Sequence, residues 1–146
     1  MGPSDASAPE MTTAEAVGAE LARRGAVVVC GGLGGVMEAV CRGAKDASGT
    51  TIGILPGFDR TEANRFVDVA LATGLGEARN ALVARAADAL IAVGGSYGTL
   101  SEIALALRAG KRVVGLSTWD IEGIELAESP EAAVEAVLGP PSARST

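Results

Sequence analysis

Two short apolar runs, residues 26–30 and 89–93, each break into glycines and then lead directly into a helical pattern. A strand that turns this sharply into a helix leaves the N–H groups of the first helical turn without acceptors, and such groups favour an anion such as phosphate. Glycine-rich turns also occur simply to let a helix pack closely on a strand. Because this chain has two of them, the pattern predicts a site for a phosphorylated, nucleotide-like ligand.

The other apolar runs alternate with helical patterns in the same way. The sequence predicts helices from Thr12 or Thr13 to Gly25 and over residues 36–47, 76–87, 99–109 and 130–138, and strands over residues 27–29, 51–55, 66–71, 89–93 and 112–116. Continuous apolar strands that alternate with helices are typical of a parallel sheet covered on both faces. We therefore expect an α/β fold, a Rossmann-like three-layer sandwich with a mainly parallel sheet.

The two ends of the chain depart from this regular pattern. The sequence predicts a single domain over residues 1–139 and a polar tail over residues 140–146. Residues 1–4 resemble the loop that follows the first strand of such folds, but the strand itself is not present. Because that strand is usually central, its loss would expose the edges of its neighbours. We expect a first strand that is missing or truncated.

Composition narrows the function classes. A net charge of −6 with scattered cations argues against nucleic acid as a partner, and no apolar run approaches the roughly 18 to 20 residues that a membrane span needs. No secretory signal is apparent, so a cytoplasmic location is expected.

The chain has no histidine, which removes Ser-His-Asp chemistry and most catalytic zinc sites, and no metal site is expected. Cys30 and Cys41 are interpreted as reduced apolar fillers.

The order of these motifs resembles the LOG-like family of Rossmann proteins, often labelled lysine decarboxylases, and most closely its subgroup with molybdenum-cofactor carrier proteins. The family's glycine-rich loop ending in Gly-Leu-Met corresponds to residues 31–37, and its Pro-Gly-Gly-x-Gly-Thr-x-x-Glu motif to residues 94–102. Its Arg-Lys pair corresponds to Arg79 and Asn80. The resemblance extends from about residue 14 to residue 138. It implies assembly into a homodimer or higher homo-oligomer.

Two functions follow from this resemblance. One is carrier-like binding of a phosphorylated ligand, a nucleotide or a molybdopterin-type cofactor, since Asn80, Gly94 and Ser96 depart from the hydrolase pattern and look like the carrier subgroup. The alternative is a phosphoribohydrolase that releases the base from a nucleoside 5′-monophosphate, with Arg79 and Glu102 as the catalytic pair. The candidate binding residues are Gly31, Gly32, Gly34, Gly35, Asn80, Gly94, Gly95, Ser96, Tyr97, Gly98 and Thr99.

Pyridoxal phosphate chemistry is not expected, because the two lysines, Lys45 and Lys111, are not at the glycine turns where a Schiff base would be needed. A decarboxylase is therefore rejected. No cofactor is required for either of the two functions that remain.

Several of these residues also have a purely structural interpretation. Thr99 and Glu102 have the spacing of a capping box, in which each side chain accepts a backbone N–H at the start of a helix. Arg79 could be a solvated helix residue, and Asn80 could hydrogen-bond the backbone. Tyr97 could stack on a ligand ring or pack against a dimer partner. The sequence leaves these alternatives open.

Overall fold

The computed structural model describes residues 1–140, so the predicted polar tail lies outside the described residues from Pro141 onward. The helices are α1 (Ala8–Arg23), α2 (Val36–Asp46), α3 (Arg79–Ala86), α4 (Tyr97–Arg108) and α5 (Pro130–Leu138). The strands are β1 (Val28–Cys30), β2 (Thr51–Leu55), β3 (Val69–Ala72), β4 (Leu90–Val93), β5 (Val113–Leu116) and β6 (Ile124–Leu126). Two short 3₁₀ turns, Arg60–Glu62 and Gly76–Ala78, complete the described elements.

All strand pairs are parallel, and helices cover both faces of the strands. The strands pair in the orders β1-β2-β3 and β4-β5-β6. Helices α1, α2 and α5 pack on one face, and α3 and α4 pack on the other. This arrangement confirms the predicted three-layer α/β fold with parallel strands.

The side chains of β4 show why the strands are apolar throughout. Ile91 and Val93 pack into the core shared with α1, α2 and α5, whereas Leu90 and Ala92 pack into the core beneath α3 and α4. Successive side chains of a strand point to opposite faces, so a strand covered on both faces must be apolar at every position. Both halves of the core therefore depend on the same four residues.

The strands do not form one continuous sheet. They form two three-stranded sheets, with β1 and β4 at the inner edges. Between them, among residues 1–140, only Met1 takes part in strand-like pairing: its amino group donates to the Ile91 carbonyl at 2.7 Å, and the Val93 N–H donates to the Met1 carbonyl at 2.8 Å. Within residues 1–140, Met1 is thus the one residue that pairs with β4 at the position expected for a first strand.

Several element boundaries differ from the sequence prediction. Strand β3 begins at Val69 and not at residue 66, and α3 begins at Arg79, after a 3₁₀ turn, and not at residue 76. Helix α1 begins at Ala8, well before Thr12, because Ser7 and Glu10 form a reciprocal capping box at its start. Helix α4 begins at Tyr97, two residues before the predicted start. Strand β6 lies in a stretch predicted as a polar loop, because its three residues, Ile-Glu-Leu, are too few to show a strand period. Among residues 1–140, no helix is both long and apolar enough to cross a membrane.

Candidate functional site

A cavity of about 310 Å³ lies where the turns after β1 and β4 meet the start of α3. The carboxyl ends of parallel strands converge at one edge, which is where ligands bind in open α/β folds. The cavity wall includes six of the predicted site residues, namely Arg79, Asn80, Ser96, Gly98, Thr99 and Glu102. The fold therefore brings together residues that are separated by more than twenty positions in the sequence.

The turn after β4 presents the amino end of α4 to this cavity. Ser96 is the N-cap, and its Oγ accepts the Thr99 N–H at 3.2 Å and lies 2.9 Å from the Thr99 hydroxyl oxygen. Within residues 1–140, the N–H groups of Tyr97 and Gly98 have no acceptor. Free N–H donors at the amino end of a helix, together with the helix dipole, are the arrangement that favours an anion.

Arg79, the first residue of α3, supplies a buried positive charge beside this turn. Its side chain donates to the Asn80 side-chain oxygen and to the Gly31 carbonyl, the latter at 3.4 Å. The residue is only 8% exposed, and its Nε is buried without an acceptor within residues 1–140. A buried cation without a paired anion is costly, so this arrangement favours a negatively charged ligand.

Asn80 links α3 to the first turn of α4. Its side-chain amide donates to the Ser101 hydroxyl at 3.2 Å, and that hydroxyl donates to the Gly98 carbonyl at 2.8 Å. Asn80 is buried, and its amide group donates to the side chain of Ser101 and not to the backbone. The predicted alternative of a backbone hydrogen bond is therefore wrong for this group. Ser101 was not singled out in the sequence, although it lies within the second glycine motif.

Glu102 does not cap a helix. Since α4 begins at Tyr97, Ser96 is its cap, and Glu102 lies more than one turn inside the helix. The capping-box interpretation of Thr99 and Glu102 is therefore wrong. The Glu102 carboxyl lines the cavity at 8% exposure. Burial raises its pKa, and the positive charges of the chain amino group and Arg79 partly oppose that rise.

The turn after β1 is filled by the protein itself. A side chain at Gly32 would lie 2.6 Å from Leu55, and one at Gly35 would lie 2.4 Å from the Pro3 carbonyl oxygen. The Val36 N–H, the first of α2, donates to that same oxygen at 3.0 Å. Gly31, Gly32, Gly34 and Gly35 are not in the cavity wall. Their assignment as ligand-binding residues stays a prediction. The geometry of Gly31, Gly32 and Gly35 is that of close packing, whereas nothing lies within 4 Å of a Cβ added at Gly34.

Tyr97 and Trp119 form an aromatic pair outside the cavity wall. Tyr97 is 83% exposed, and its ring is 6.1 Å from that of Trp119 at an interplanar angle of 28°. The Trp119 indole N–H donates to the Ser96 carbonyl at 3.0 Å, and this hydrogen bond holds the turn after β4. Trp119 also packs near Gly95. Sequence reasoning missed Trp119, because it follows β5 in a stretch without periodicity. Tyr97, Gly94 and Gly95 as ligand contacts stay predictions.

Comparison with known proteins places this geometry in a family. The profile of the SLOG cluster4 family matches residues 1–141. An uncharacterised protein from Archaeoglobus fulgidus is 50% identical over 119 residues, which are 81% of this chain and 78% of that protein.

Several solved structures match nearly the whole chain, including the following two. The molybdenum cofactor binding protein from Rippkaea orientalis is 39% identical with a TM-score of 0.89, covering 94% of this chain and 91% of that one. The molybdenum cofactor carrier protein from Chlamydomonas reinhardtii is 37% identical with a TM-score of 0.84, covering 94% and 92%. The predicted resemblance to LOG-like Rossmann proteins is confirmed, and this chain belongs to the SLOG cluster4 family.

Proposed function

We propose that this protein is a carrier that binds the molybdenum cofactor reversibly, with the phosphate of the cofactor at the amino end of α4. The observation that carries the proposal is the buried Arg79, whose Nε has no acceptor within residues 1–140, beside the free N–H groups of the α4 turn. The proposal is supported by two solved neighbours, of which one is a binding protein for this cofactor and the other a carrier of it.

The donors at the cavity suit a phosphate monoester. The Arg79 guanidinium offers a planar set of N–H donors that matches phosphate oxygens. The Ser96 and Thr99 hydroxyls and the N–H groups of Tyr97 and Gly98 can approach the same anion from the helix end. These groups recognise phosphate without forming a covalent bond, so the ligand can later be released.

The cavity wall carries little positive charge beyond Arg79. Asn80 stands where the LOG-like hydrolases have a lysine, and Glu77 and Glu102 also lie in the wall. Among the described residues of the wall, Arg79 is the only cation. One cation with several neutral donors favours reversible binding, since each additional charge pair on the phosphate would slow release.

Anaerobic gel filtration of the protein with molybdenum cofactor, followed by measurement of pterin in the protein peak, tests the proposal. We expect stoichiometric co-elution. Fluorescence of Trp119, the one tryptophan of the chain, should change at the same time because its indole N–H bonds the α4 turn. Absence of pterin from the protein peak at micromolar protein would overturn the carrier function.

A second function, phosphoribohydrolase activity on nucleoside 5′-monophosphates, is favoured by Glu102 alone. Its carboxyl lies in the same cavity as Arg79 and has no capping role, so it is available to stabilise positive charge developing on a ribose. Release of ribose 5-phosphate from a panel of monophosphates measures this activity. Release that Glu102→Ala abolishes while binding is retained would replace the carrier function with the hydrolase; no release supports the carrier.

Assembly and location are proposals of the same kind. We propose a homodimer or higher homo-oligomer, for which Leu82 on α3 and Leu105 on α4 offer exposed apolar surface. Sedimentation measures the mass directly, and a monomer at all concentrations would contradict the proposal. The cytoplasmic location stays a prediction.

A further inference from the structure

The ligand cavity has two chemically different ends. It extends from the turn after β4, past the turn after β1, to the residue that follows β2. The end at β4 carries the phosphate donors of the α4 turn. The end at β2 is mainly apolar, and its wall contains Leu33, Met37 and Pro56. A ligand whose phosphate is held at the β4 end therefore extends its remaining part along these apolar side chains.

Glu77 is the charged residue at the apolar end. It lies in the 3₁₀ turn Gly76–Ala78 directly before α3, and the Gly76 N–H donates to the Pro56 carbonyl at 2.9 Å. This hydrogen bond holds the turn beside the end of β2. Glu77 is exposed and lines the cavity, and within residues 1–140 its carboxylate makes no hydrogen bond or ion pair. The carboxylate is therefore available to a ligand.

The two carboxyl groups of the cavity wall have different surroundings. Glu102 is buried on α4, and the positive charges of Arg79 and the chain amino group act on it. It thus belongs to the phosphate end. Glu77 is exposed at the other end, where the wall provides no cation. A group that binds Glu77 must therefore bring its own N–H donors.

The chemistry of a free carboxylate restricts which ring it can bind. Its two oxygens accept two parallel N–H bonds at the same time, and such paired bonds to a charged acceptor are both strong and directional. An amino group next to a ring N–H offers that pair of donors. The 2-amino-4-oxopyrimidine edge of pterins and of guanine has this arrangement. Adenine does not, because the ring nitrogen beside its amino group is an acceptor.

We propose that Glu77 recognises the amino-oxopyrimidine edge of the ligand ring, so that the site accepts a pterin or guanine ring and discriminates against adenine. Leu33, Met37 and Pro56 supply the apolar contacts to the ring. The inference rests on the proposed function, because the phosphate at the α4 turn places the ring at the opposite end. It adds the ring class, which phosphate recognition alone leaves open.

Three nucleoside monophosphates test the ring preference with the same phosphate arm. GMP offers both donors, IMP keeps the ring N–H but lacks the amino group, and AMP offers no adjacent pair. Titration calorimetry with the 146-residue chain measures the three affinities. We expect GMP to bind roughly tenfold more tightly than AMP, with IMP between them, since a bidentate contact contributes discrimination of about this size.

Glu77→Gln tests the residue, because the amide places a donor against one of the ring donors. We expect GMP affinity to fall roughly tenfold, to the level of AMP, while AMP affinity stays unchanged. Glu135→Gln, an exposed position on α5 outside the cavity wall, is the matched control and should keep the GMP preference. The thermal midpoints of both variants should equal that of the wild type, because both side chains are exposed.

The outcomes separate this inference from the carrier function. GMP binding no tighter than AMP binding, including the case in which neither binds, overturns the inference, and so does a GMP preference that survives in Glu77→Gln. The carrier function is tested on its own by co-elution of pterin with the wild type. Pterin that co-elutes equally with wild type and Glu77→Gln at limiting protein overturns the inference alone. A GMP preference without pterin co-elution overturns the carrier function alone and assigns the site to a guanine nucleotide.

Discussion

The two glycine turns of this protein share a sequence pattern and a place in the fold, yet their surroundings differ. The turn after β1 is covered by Pro3 and Ser4, whose backbone lies against Gly35 and accepts the first N–H of α2. The turn after β4 has exposed glycines at Gly95 and Gly98. In the first turn glycine makes room for the protein's own backbone, whereas in the second Gly98 lies in the wall of an open cavity.

The difference shows that a strand–glycine–helix pattern specifies a sharp turn but not its occupant. Both turns provide the amino end of a helix. At α2 a carbonyl of the same chain has taken the first donor, while at α4 the donors of Tyr97 and Gly98 remain free within residues 1–140. Binding is expected at the turn whose donors are free and beside which a buried cation lies.

The largest expected effect is on stability at the first turn. Gly35→Ala forces a residue into φ +65° and places a methyl group 2.4 Å from the Pro3 carbonyl. We expect a loss of about 3 kcal/mol in the free energy of unfolding, measured by urea titration. Gly34→Ala is the matched control, because nothing lies within 4 Å of its added Cβ. Equal stability of the two variants would show that the first turn is as open as the second.

The next effect is on binding at the second turn. Arg79→Ala removes the cation of the cavity wall, so we expect roughly 100-fold weaker binding of the phosphorylated ligand, about 2.7 kcal/mol. Arg85→Ala, an exposed position on the same helix, is the control and should bind as the wild type does. Titration calorimetry measures both affinities. Unchanged affinity in Arg79→Ala would place the phosphate elsewhere.

A smaller effect separates capping from ligand contact. Ser96→Ala removes the cap of α4 and Ser129→Ala removes the cap of α5, and each should cost about 1 kcal/mol in thermal unfolding. Only Ser96→Ala should also weaken ligand binding, by several-fold, because α5 does not line the cavity. Equal binding by the two variants would reduce Ser96 to a structural cap.

The smallest effect concerns the pH dependence contributed by Glu102. Because burial raises the pKa of this carboxyl, its contribution to stability is present below the ordinary pKa of glutamate and is lost as the pH rises through the raised value. Glu102→Gln should remove this loss and flatten the stability profile in acid unfolding experiments. Superimposable profiles for the variant and the wild type would contradict a raised pKa.

Ligand binding should follow the same titration. The ionised carboxylate repels a phosphate, so affinity falls as the pH rises through the pKa of Glu102. Since the phosphate's own ionisation affects both proteins equally, the ratio of the Glu102→Gln affinity to the wild-type affinity isolates the carboxylate. We expect that ratio to increase by a few-fold with pH, and a constant ratio would show that Glu102 does not face the ligand.

Sequence patterns predicted the elements whose signals are local. Strand β2 and helix α5 match their predicted bounds. The β-branched residues of β2 and the Ser-Pro start of α5 are signals that lie within a few residues of each other in the sequence. The start of α1 was missed although Ser7 and Glu10 carry a capping signal. Strand β6 was missed because three residues are too few to show a strand period. The gap between β1 and β4 was expected only as a missing strand, not as two separate sheets.

The site was predictable as a set of residues but not as an arrangement. Arg79 and Glu102 were chosen from a resemblance to known motifs, and their placement in one cavity wall depends on how α3 and α4 pack over the strand ends. Trp119 could not be chosen, because its contact with Ser96 joins residues that no local pattern connects.

The amino-acid sequence by itself determined the alternation of strands and helices, the parallel α/β class and the two sharp turns, because these depend on apolar periodicity and on glycine at fixed places. Tertiary structure alone decided which turn is open, whether Glu102 caps a helix and which strand edges are left unpaired. Those properties depend on contacts between distant segments, such as Pro3 against Gly35, and the free energy of such contacts is not encoded in any single stretch of the chain.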